Sequence, residues 1–141
     1  PEECGTTADF LRSLGKAPVG TVLDTGHHLN RHRQIGREDL ACRELLRIAA
    51  CMERSGVLPR VVHLHWTPPQ LVPASREVLD ADEFFAGGDQ HRPLTDPRVS
   101  QVIEALAPNY LVHELGAMSL GDHSTWLRAQ AGAARGSFNG R

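Results

Sequence analysis

Apolar residues recur at helical spacing along several stretches of the chain. The clearest pattern runs from Ala41 to Met52, where apolar positions at i, i+4, i+7, i+8 and i+11 share one face and Gly56 stops the helix. A second helix is predicted from Pro97, a favoured first helical residue, to a point before Pro108. Shorter patterns predict two more helices, which cover residues 7–14 and 124–134.

Three short runs rich in apolar and β-branched residues alternate with these helices. They predict strands over 19–23, 60–66 and 110–115. Because strands that alternate with amphipathic helices pair in parallel through right-handed crossovers, this order predicts an α/β fold of alternating βα units. We expect a single α/β unit over 1–141, with a long insertion loop over 67–96 that contains at most one short helix, around residues 75–85.

Composition and charge narrow the classes of function. A length of 141 residues, with 40% apolar and 23% charged residues, favours one packed domain. The net charge of −2 provides no overall basic field, which argues against nucleic acid as a partner. No apolar run is long enough for a membrane span. The three cysteines form no tight pattern, which predicts a reducing, cytoplasmic location.

Potential metal ligands fall at the carboxyl ends of all three predicted strands. Asp24 follows the first strand, His63 and His65 lie on the second, and Glu114 lies near the end of the third. Parallel α/β proteins place their sites at this edge, and side-chain alternation puts both histidines on one face of their strand. Two carboxylates with one or two imidazoles suit Mn²⁺, Zn²⁺, Co²⁺ or Mg²⁺. The sequence therefore predicts a divalent metal site.

Each of these residues also has a plainer interpretation. Asp24 is suited to cap the next turn, His63 to be a core histidine, and Glu114 to pair with an arginine. Their coincidence at the same edge of three successive strands favours a shared cation, because buried charge without a partner is costly.

Further imidazoles and carboxylates lie near this edge, since six of the eight histidines fall between positions 27 and 91. His27 comes three residues after Asp24, and His91 comes two residues after Asp89 in the insertion. His27, Asp89 and His91, together with His65, are candidates either for ligands of a second metal or for contacts with the substrate. Loop residues in solvent are the alternative for Asp89 and His91.

Basic residues cluster between the first strand and the second helix. His28 and His32, flanked by Arg31 and Arg33, are interpreted as a cationic rim that meets phosphate, with a solvated surface as the equal alternative. His113 points away from the predicted site on its strand and is interpreted as structural.

Four segments resemble the xylose isomerase-like TIM barrels, a superfamily of sugar isomerases and epimerases and of endonuclease IV-type apurinic endonucleases. They are GTVLDTGHHLN at 20–30, VVHLHW at 61–66, DQHRPL at 89–94 and YLVHEL at 110–115. The resemblance implies that the chain is the C-terminal portion of an eight-stranded barrel and contains its last three strands. It further implies about five strands upstream of Pro1, with a bridging glutamate just before it.

The resemblance also implies roles for individual residues. Asp24, His63 and Glu114 match the metal ligands of the last three barrel strands. His27 matches a histidine that contacts substrate in the epimerases and a further zinc in the endonucleases. Glu114 or the upstream glutamate would move a proton between substrate carbons.

The two branches of the superfamily differ at the second strand and in the insertion. The endonucleases carry H-L-N-D where this chain has His63-Leu64-His65-Trp66, which favours a divalent-metal-dependent sugar or sugar-phosphate isomerase or epimerase. One alternative is a multinuclear zinc phosphodiesterase that cleaves abasic DNA, with Asp89 and His91 as added ligands. The other is a non-catalytic barrel fragment that pairs with a complementing chain.

Overall fold

The computed structural model describes residues 2–15, 19–30, 32, 35–67 and 91–136. Within these residues, helices alternate with three strands that form one sheet of order β1-β2-β3. The elements are α1 (Glu2–Ser13), β1 (Val22–Asp24), α2 (Thr25–Asn30), α3 (Glu38–Ser55), β2 (Val61–Leu64), α4 (Val99–Leu106), β3 (Tyr110–His113) and α5 (Leu120–Arg135).

The sheet is parallel throughout the described residues, as the alternation of elements predicts. Val22 pairs with Val61, which pairs with Tyr110, and two residues further along Asp24 pairs with His63. The prediction of an α/β fold with parallel βα units is therefore confirmed. This register also places the three strand ends level with one another, which brings together the residues that follow them.

Helix α3 carries the largest share of the core. The apolar positions that predict it are all buried, and Gly56 ends it in the left-handed region with φ of 69°, where its N–H bonds to helix carbonyls. Leu23, Val62 and Leu64 point from the sheet into the same core. Cys42 is also fully buried there and acts as a small packing residue.

The opposite face of the sheet remains open to solvent. Val22 is 58% exposed, Tyr110 70% and Val112 39%, although parallel strands are ordinarily buried on both faces. Side chains alternate along each strand, so Asp24 and His63 lie on this open face too. The candidate metal ligands are therefore reached from the uncovered side of the sheet.

Several boundaries differ from the predictions. Helix α1 begins at Glu2, so the pattern over 7–14 marks only its second half. Helix α2 follows β1 directly, where the sequence predicts that polar residues simply leave the strand. It forms because the Asp24 carboxylate caps it, accepting a hydrogen bond of 2.8 Å from the His27 N–H. Helix α5 starts at Leu120, because the hydroxyl of Ser119 accepts from Asp122 N–H.

The insertion predicted over 67–96 is described at residue 67 and over 91–96 only, and the short helix predicted over 75–85 lies outside the described residues. Its far end is fixed beside the end of β2 by a two-way backbone pairing between Trp66 and Arg92. Glu38 adds an anchor, since its carboxylate accepts hydrogen bonds from the backbone of Thr95 and Asp96. This anchoring places His91 at the carboxyl edge of the sheet.

No helix in the described part of the chain combines the length and apolar character needed to cross a membrane.

Candidate metal centre

The three predicted metal ligands meet at the carboxyl edge of the sheet. Nδ1 of His63 lies 2.9 Å from Oε2 of Glu114 and 4.0 Å from Oδ2 of Asp24. One ligand atom from each of the three residues lies within 4.8 Å of the others. They converge because Asp24 pairs in register with His63, and Glu114 comes two residues after Val112, the register partner of His63 on β3.

His65 lies beneath this group and is fully buried. Its Nε2 is 3.0 Å from Oδ1 of Asp24 and 3.9 Å from Oε2 of Glu114. Nδ1 of the same ring is buried and has no hydrogen-bond partner among the residues that the structure describes. The alternation of side chains places His63 and His65 on one side of the strand, as predicted, and both reach Asp24 and Glu114.

The backbone around α2 is shaped to accept the His65 ring. A Cβ added at Gly26 would overlap that ring, so only glycine permits this approach. The buried hydroxyl of Thr25 donates to the His65 carbonyl at 2.6 Å and accepts from the His65 N–H at 3.0 Å. These contacts fix the start of α2 to the end of β2, which sets the distance between Asp24 and His65.

His91 comes from the insertion and stacks on His65, with ring centroids 3.9 Å apart and an angle of 19° between the rings. Its Nδ1 lies 3.6 Å from Oε1 of Glu114. The two oxygens of Glu114 therefore face different imidazoles, Oε2 toward His63 and Oε1 toward His91. His65, His91 and Glu114 form a second group of ligand atoms within 4.8 Å of one another.

Asp24 contacts both the His27 N–H and the His65 ring, and it also faces the metal centre. Its Oδ1 accepts from the His27 N–H and lies beside His65, so the interpretation of Asp24 as a cap is also correct. Its Oδ2 lies 3.4 Å from Nδ1 of His27, whose side chain is 43% exposed at the mouth. Burial raises the pKa of Asp24, but hydrogen bonds from His65 and from the His27 N–H outweigh it and lower the pKa to about 2.

The predicted cationic rim is described only at its two histidines, and both of them face the carboxylate of Glu44. His28 is mostly buried, and its Nε2 bonds to Oε1 of Glu44 at 2.9 Å, while Nε2 of His32 lies 3.4 Å from the same oxygen. Burial lowers the pKa of His28, which works against a standing positive charge there. Arg31 and Arg33 lie outside the described residues, as does Asp89.

Two side chains that the sequence analysis does not single out organise this region. Glu44 gathers the two histidines of α2 and its following turn, and Gln130 of α5 is fully buried. The Gln130 amide donates to the carbonyl of Leu64 and to Nδ1 of His113, and its oxygen accepts from Leu94 N–H. His113 is therefore structural, as predicted. In the sequence, Glu44 and Gln130 are simply polar residues on amphipathic helices. Such residues ordinarily indicate a face that is exposed to solvent.

A cavity of about 430 Å³ opens beside the centre. Asp24 and His27 line it together with apolar residues of β1 and α3, among them Leu23, Ile48 and Met52. Its volume falls within the range of roughly 300–1,000 Å³ that small-molecule sites occupy.

The donor set of the centre is two carboxylates and three imidazoles, a mixture that suits borderline divalent ions such as Zn²⁺, Co²⁺ and Mn²⁺. Hydrogen bonds within the described part of the chain leave Nδ1 of His65 buried and without a partner. No protein family model, no curated protein and no solved structure matches the chain. Inference about its function therefore depends on the geometry of this centre.

Proposed function

We propose that the chain carries the metal centre of a divalent-metal-dependent sugar or sugar-phosphate isomerase or epimerase of the xylose isomerase-like type. The observation that carries this proposal is the convergence of Asp24, His63 and Glu114 at the carboxyl edge of three adjacent parallel strands. That edge is where parallel α/β folds assemble catalytic groups from separate strand ends.

The uncovered face of the sheet supports a place in a (β/α)₈ barrel. In such a barrel helices cover only the outer face, and the inner face packs against the strands opposite. The exposure of Val22, Tyr110 and Val112 suits strands whose inner face awaits these neighbours. The remaining strands, from a longer chain or a complementing one, are part of the proposal.

In the reaction, each described residue has a task that follows from its position. Asp24, His63 and Glu114 would hold a divalent ion, which would supply Lewis acidity toward a substrate oxygen. Asp24 and His63 hold the donor geometry on the sheet. Glu114 is the candidate base, which in an isomerase takes a proton from one substrate carbon and returns it to the neighbouring carbon. In an epimerase, the glutamate implied upstream of Pro1 would deliver the proton to the opposite face of the carbon that Glu114 deprotonates. His27 at the mouth orients a substrate hydroxyl.

The adjacent cavity favours a small substrate. Its lining combines the polar side chains of Asp24, His27 and His28 with apolar walls, and its volume suits a ligand of sugar size. The net charge of −2 gives no electrostatic support for a DNA duplex.

A multinuclear zinc phosphodiesterase is the second candidate, and one observation favours it. His65, His91 and Glu114 form a second ligand group that shares Glu114 with the first, so two ions bridged by this carboxylate are compatible with the site. The two candidates differ in the number of ions that depend on Glu114.

Glu114→Gln tests both candidates. For an isomerase or epimerase, we expect the variant to lose one Mn²⁺, Co²⁺ or Zn²⁺ per chain by elemental analysis, because its amide is a much weaker ligand than a carboxylate. In the intact protein it should also lose exchange of the substrate carbon-bound proton with solvent deuterium, followed by NMR across a panel of sugars and sugar phosphates.

Glu104→Gln is the matched control, since Glu104 is exposed on α4 and belongs to none of the ligand groups of the described residues. It should retain both metal and exchange. Loss of two or more ions in Glu114→Gln, with cleavage of an abasic duplex by the intact protein, would favour the phosphodiesterase. Equal metal content in both variants would contradict the proposed metal centre and therefore both candidate functions.

A further inference from the structure

A second cluster of ligand-type side chains lies apart from the centre described above. His28 on α2, His32 just beyond it and Glu44 on α3 point their ligand atoms together, all within 4.8 Å of one another. Although His27 and His28 are neighbours in the chain, successive helical residues point about 100° apart. His27 therefore faces Asp24, while His28 faces Glu44.

The two separations between the histidines and Glu44 are close to those of a tetrahedral metal site. Zinc–ligand bonds of 2.0–2.1 Å at the tetrahedral angle put neighbouring ligand atoms roughly 3.3 Å apart. Oε1 of Glu44 lies 2.9 Å from Nε2 of His28 and 3.4 Å from Nε2 of His32. An ion would therefore require shifts of only a few tenths of an ångström at these two separations.

The cluster is sheltered on one side and open on the other. The side chains of His28 and Glu44 are 10% and 13% exposed, whereas that of His32 is 30% exposed. Sheltered ligands keep their orientation, and the more open side at His32 gives an ion a route of entry. Three protein ligands leave a fourth position for water.

The contact between Arg47 and Glu44 affects the binding of a cation at this cluster in two opposite ways. Its guanidinium holds the Glu44 carboxylate in a fork, with Nε on Oε2 and Nη2 on Oε1, both at 2.7 Å. The bond to Oε2 orients the carboxylate, as outer-shell partners of metal ligands commonly do. The bond to Oε1 opposes a cation, because it puts positive charge on the oxygen that faces both imidazoles. The Arg47 side chain is 52% exposed, so it has room to leave Oε1.

We propose that His28, His32 and Glu44 bind a second divalent cation of the zinc class, which ties α2 to α3. Two imidazoles and one carboxylate select Zn²⁺ or Co²⁺ over Mg²⁺, which prefers oxygen ligands. This ion is separate from the one at Asp24, His63 and Glu114. Its role is to fix α2, the helix that Asp24 caps and that carries His27.

The test is titration of the untagged chain with Zn²⁺ by calorimetry and with Co²⁺ by visible absorption. We expect Glu44→Gln and His32→Ala each to weaken binding at one site per chain by about 100-fold, at or above the upper end of outer-shell effects. Glu114→Gln should leave that site unchanged. Arg47→Ala should bind at this site about tenfold more tightly, because a competing unit charge at a partly exposed carboxylate is removed.

Glu53→Gln, exposed on the same helix as Glu44, is the matched control and should bind as the unaltered chain does. Circular dichroism checks that each variant is folded, and His32→Ala keeps the test valid if Glu44→Gln is not. Equal ion counts in the unaltered chain, Glu44→Gln and His32→Ala would overturn this proposal while leaving the Glu114 centre untouched. Weaker binding in Arg47→Ala would also overturn it.

Discussion

At the scale of single residues, the contact between Gly26 and His65 controls the centre. The His65 ring fills the space that a side chain at position 26 would occupy, and from there its Nε2 reaches Asp24 at 3.0 Å. A protein interior is close-packed, so the ring cannot move aside without cost. The absence of a Cβ at Gly26 therefore sets the position of the buried His65 imidazole and of the Asp24 carboxylate beside it.

Gly26→Ala should destabilise the fold by roughly 1–3 kcal/mol, the usual cost of overpacking. It should also weaken metal binding at the Asp24 centre, because the displaced His65 no longer holds the Asp24 carboxylate. Urea unfolding measures the first effect and Zn²⁺ titration the second.

Gly132→Ala is the control for this substitution, since an added Cβ at Gly132 on α5 meets nothing within 4 Å. It should stabilise the helix by roughly 0.5–1 kcal/mol. An equal, stabilising effect at both glycines would show that the Gly26 contact does not constrain His65.

At the scale of elements, Gln130 joins pieces that are distant in the sequence. From α5 it bonds to the end of β2 through the Leu64 carbonyl, to β3 through His113, and to the end of the insertion through Leu94. The helix would otherwise contact the sheet through few large apolar side chains, since Gln130 is its only fully buried residue. Polar bonds hold this element in place.

Gln130→Ala should destabilise the fold by roughly 1–3 kcal/mol or more, because the Leu94 N–H is left buried without a partner. The insertion should also loosen next to His91, which amide hydrogen exchange over residues 91–96 would detect. Gln101→Ala, at an exposed position of α4, is the control and should stay within about 0.5 kcal/mol of the unaltered chain. Slow exchange retained in Gln130→Ala would rule out this role.

At the scale of the whole molecule, the helices pack one face of the sheet and leave the other open. The core forms between α3, α4 and the inward side chains of the strands, so the metal centre sits on the face that does not contribute to it. The core and the proposed metal ligands therefore use largely separate side chains, whereas the cavity beside the centre is lined in part by the core residues Leu23, Ile48 and Met52. The core also contains Cys42, which links folding to pH.

Burial, reinforced by the charges of Asp96 and Glu38, raises the pKa of Cys42 to about 12, against 9.0 for an exposed thiol. Above pH 9 the unfolded chain therefore loses a proton that the folded chain keeps, and the free energy of unfolding falls as pH rises from 9 toward 12. Below pH 9 the thiol is protonated in both states and contributes no slope.

Urea unfolding at a series of pH values measures this effect, with Cys42→Ala as the comparison. The variant should show a shallower decline above pH 9, and the native chain should resist alkylation at Cys42 near pH 8. Identical slopes in the two proteins would contradict the linkage.

Most of the elements, though not α2, and the three candidate ligands can be predicted from local patterns in the sequence. Helical periodicity predicted α3 and α4, and the alternation of strands and helices predicted the parallel sheet, because both patterns depend only on which residues seek burial. Since parallel strands end at one edge, the convergence of Asp24, His63 and Glu114 also followed from the order of elements. The barrel that the sequence resembles remains a proposal.

Only the tertiary structure decided which side chains meet across separate elements. The stacking of His91 on His65 depends on the pairing of Trp66 with Arg92, and the attachment of His28 to Glu44 depends on how α2 packs on α3. Neither follows from local periodicity, because both are contacts between segments whose relative position is set by packing. For the same reason, polar residues such as Gln130 resemble solvent-facing positions in the sequence until the folded chain buries them.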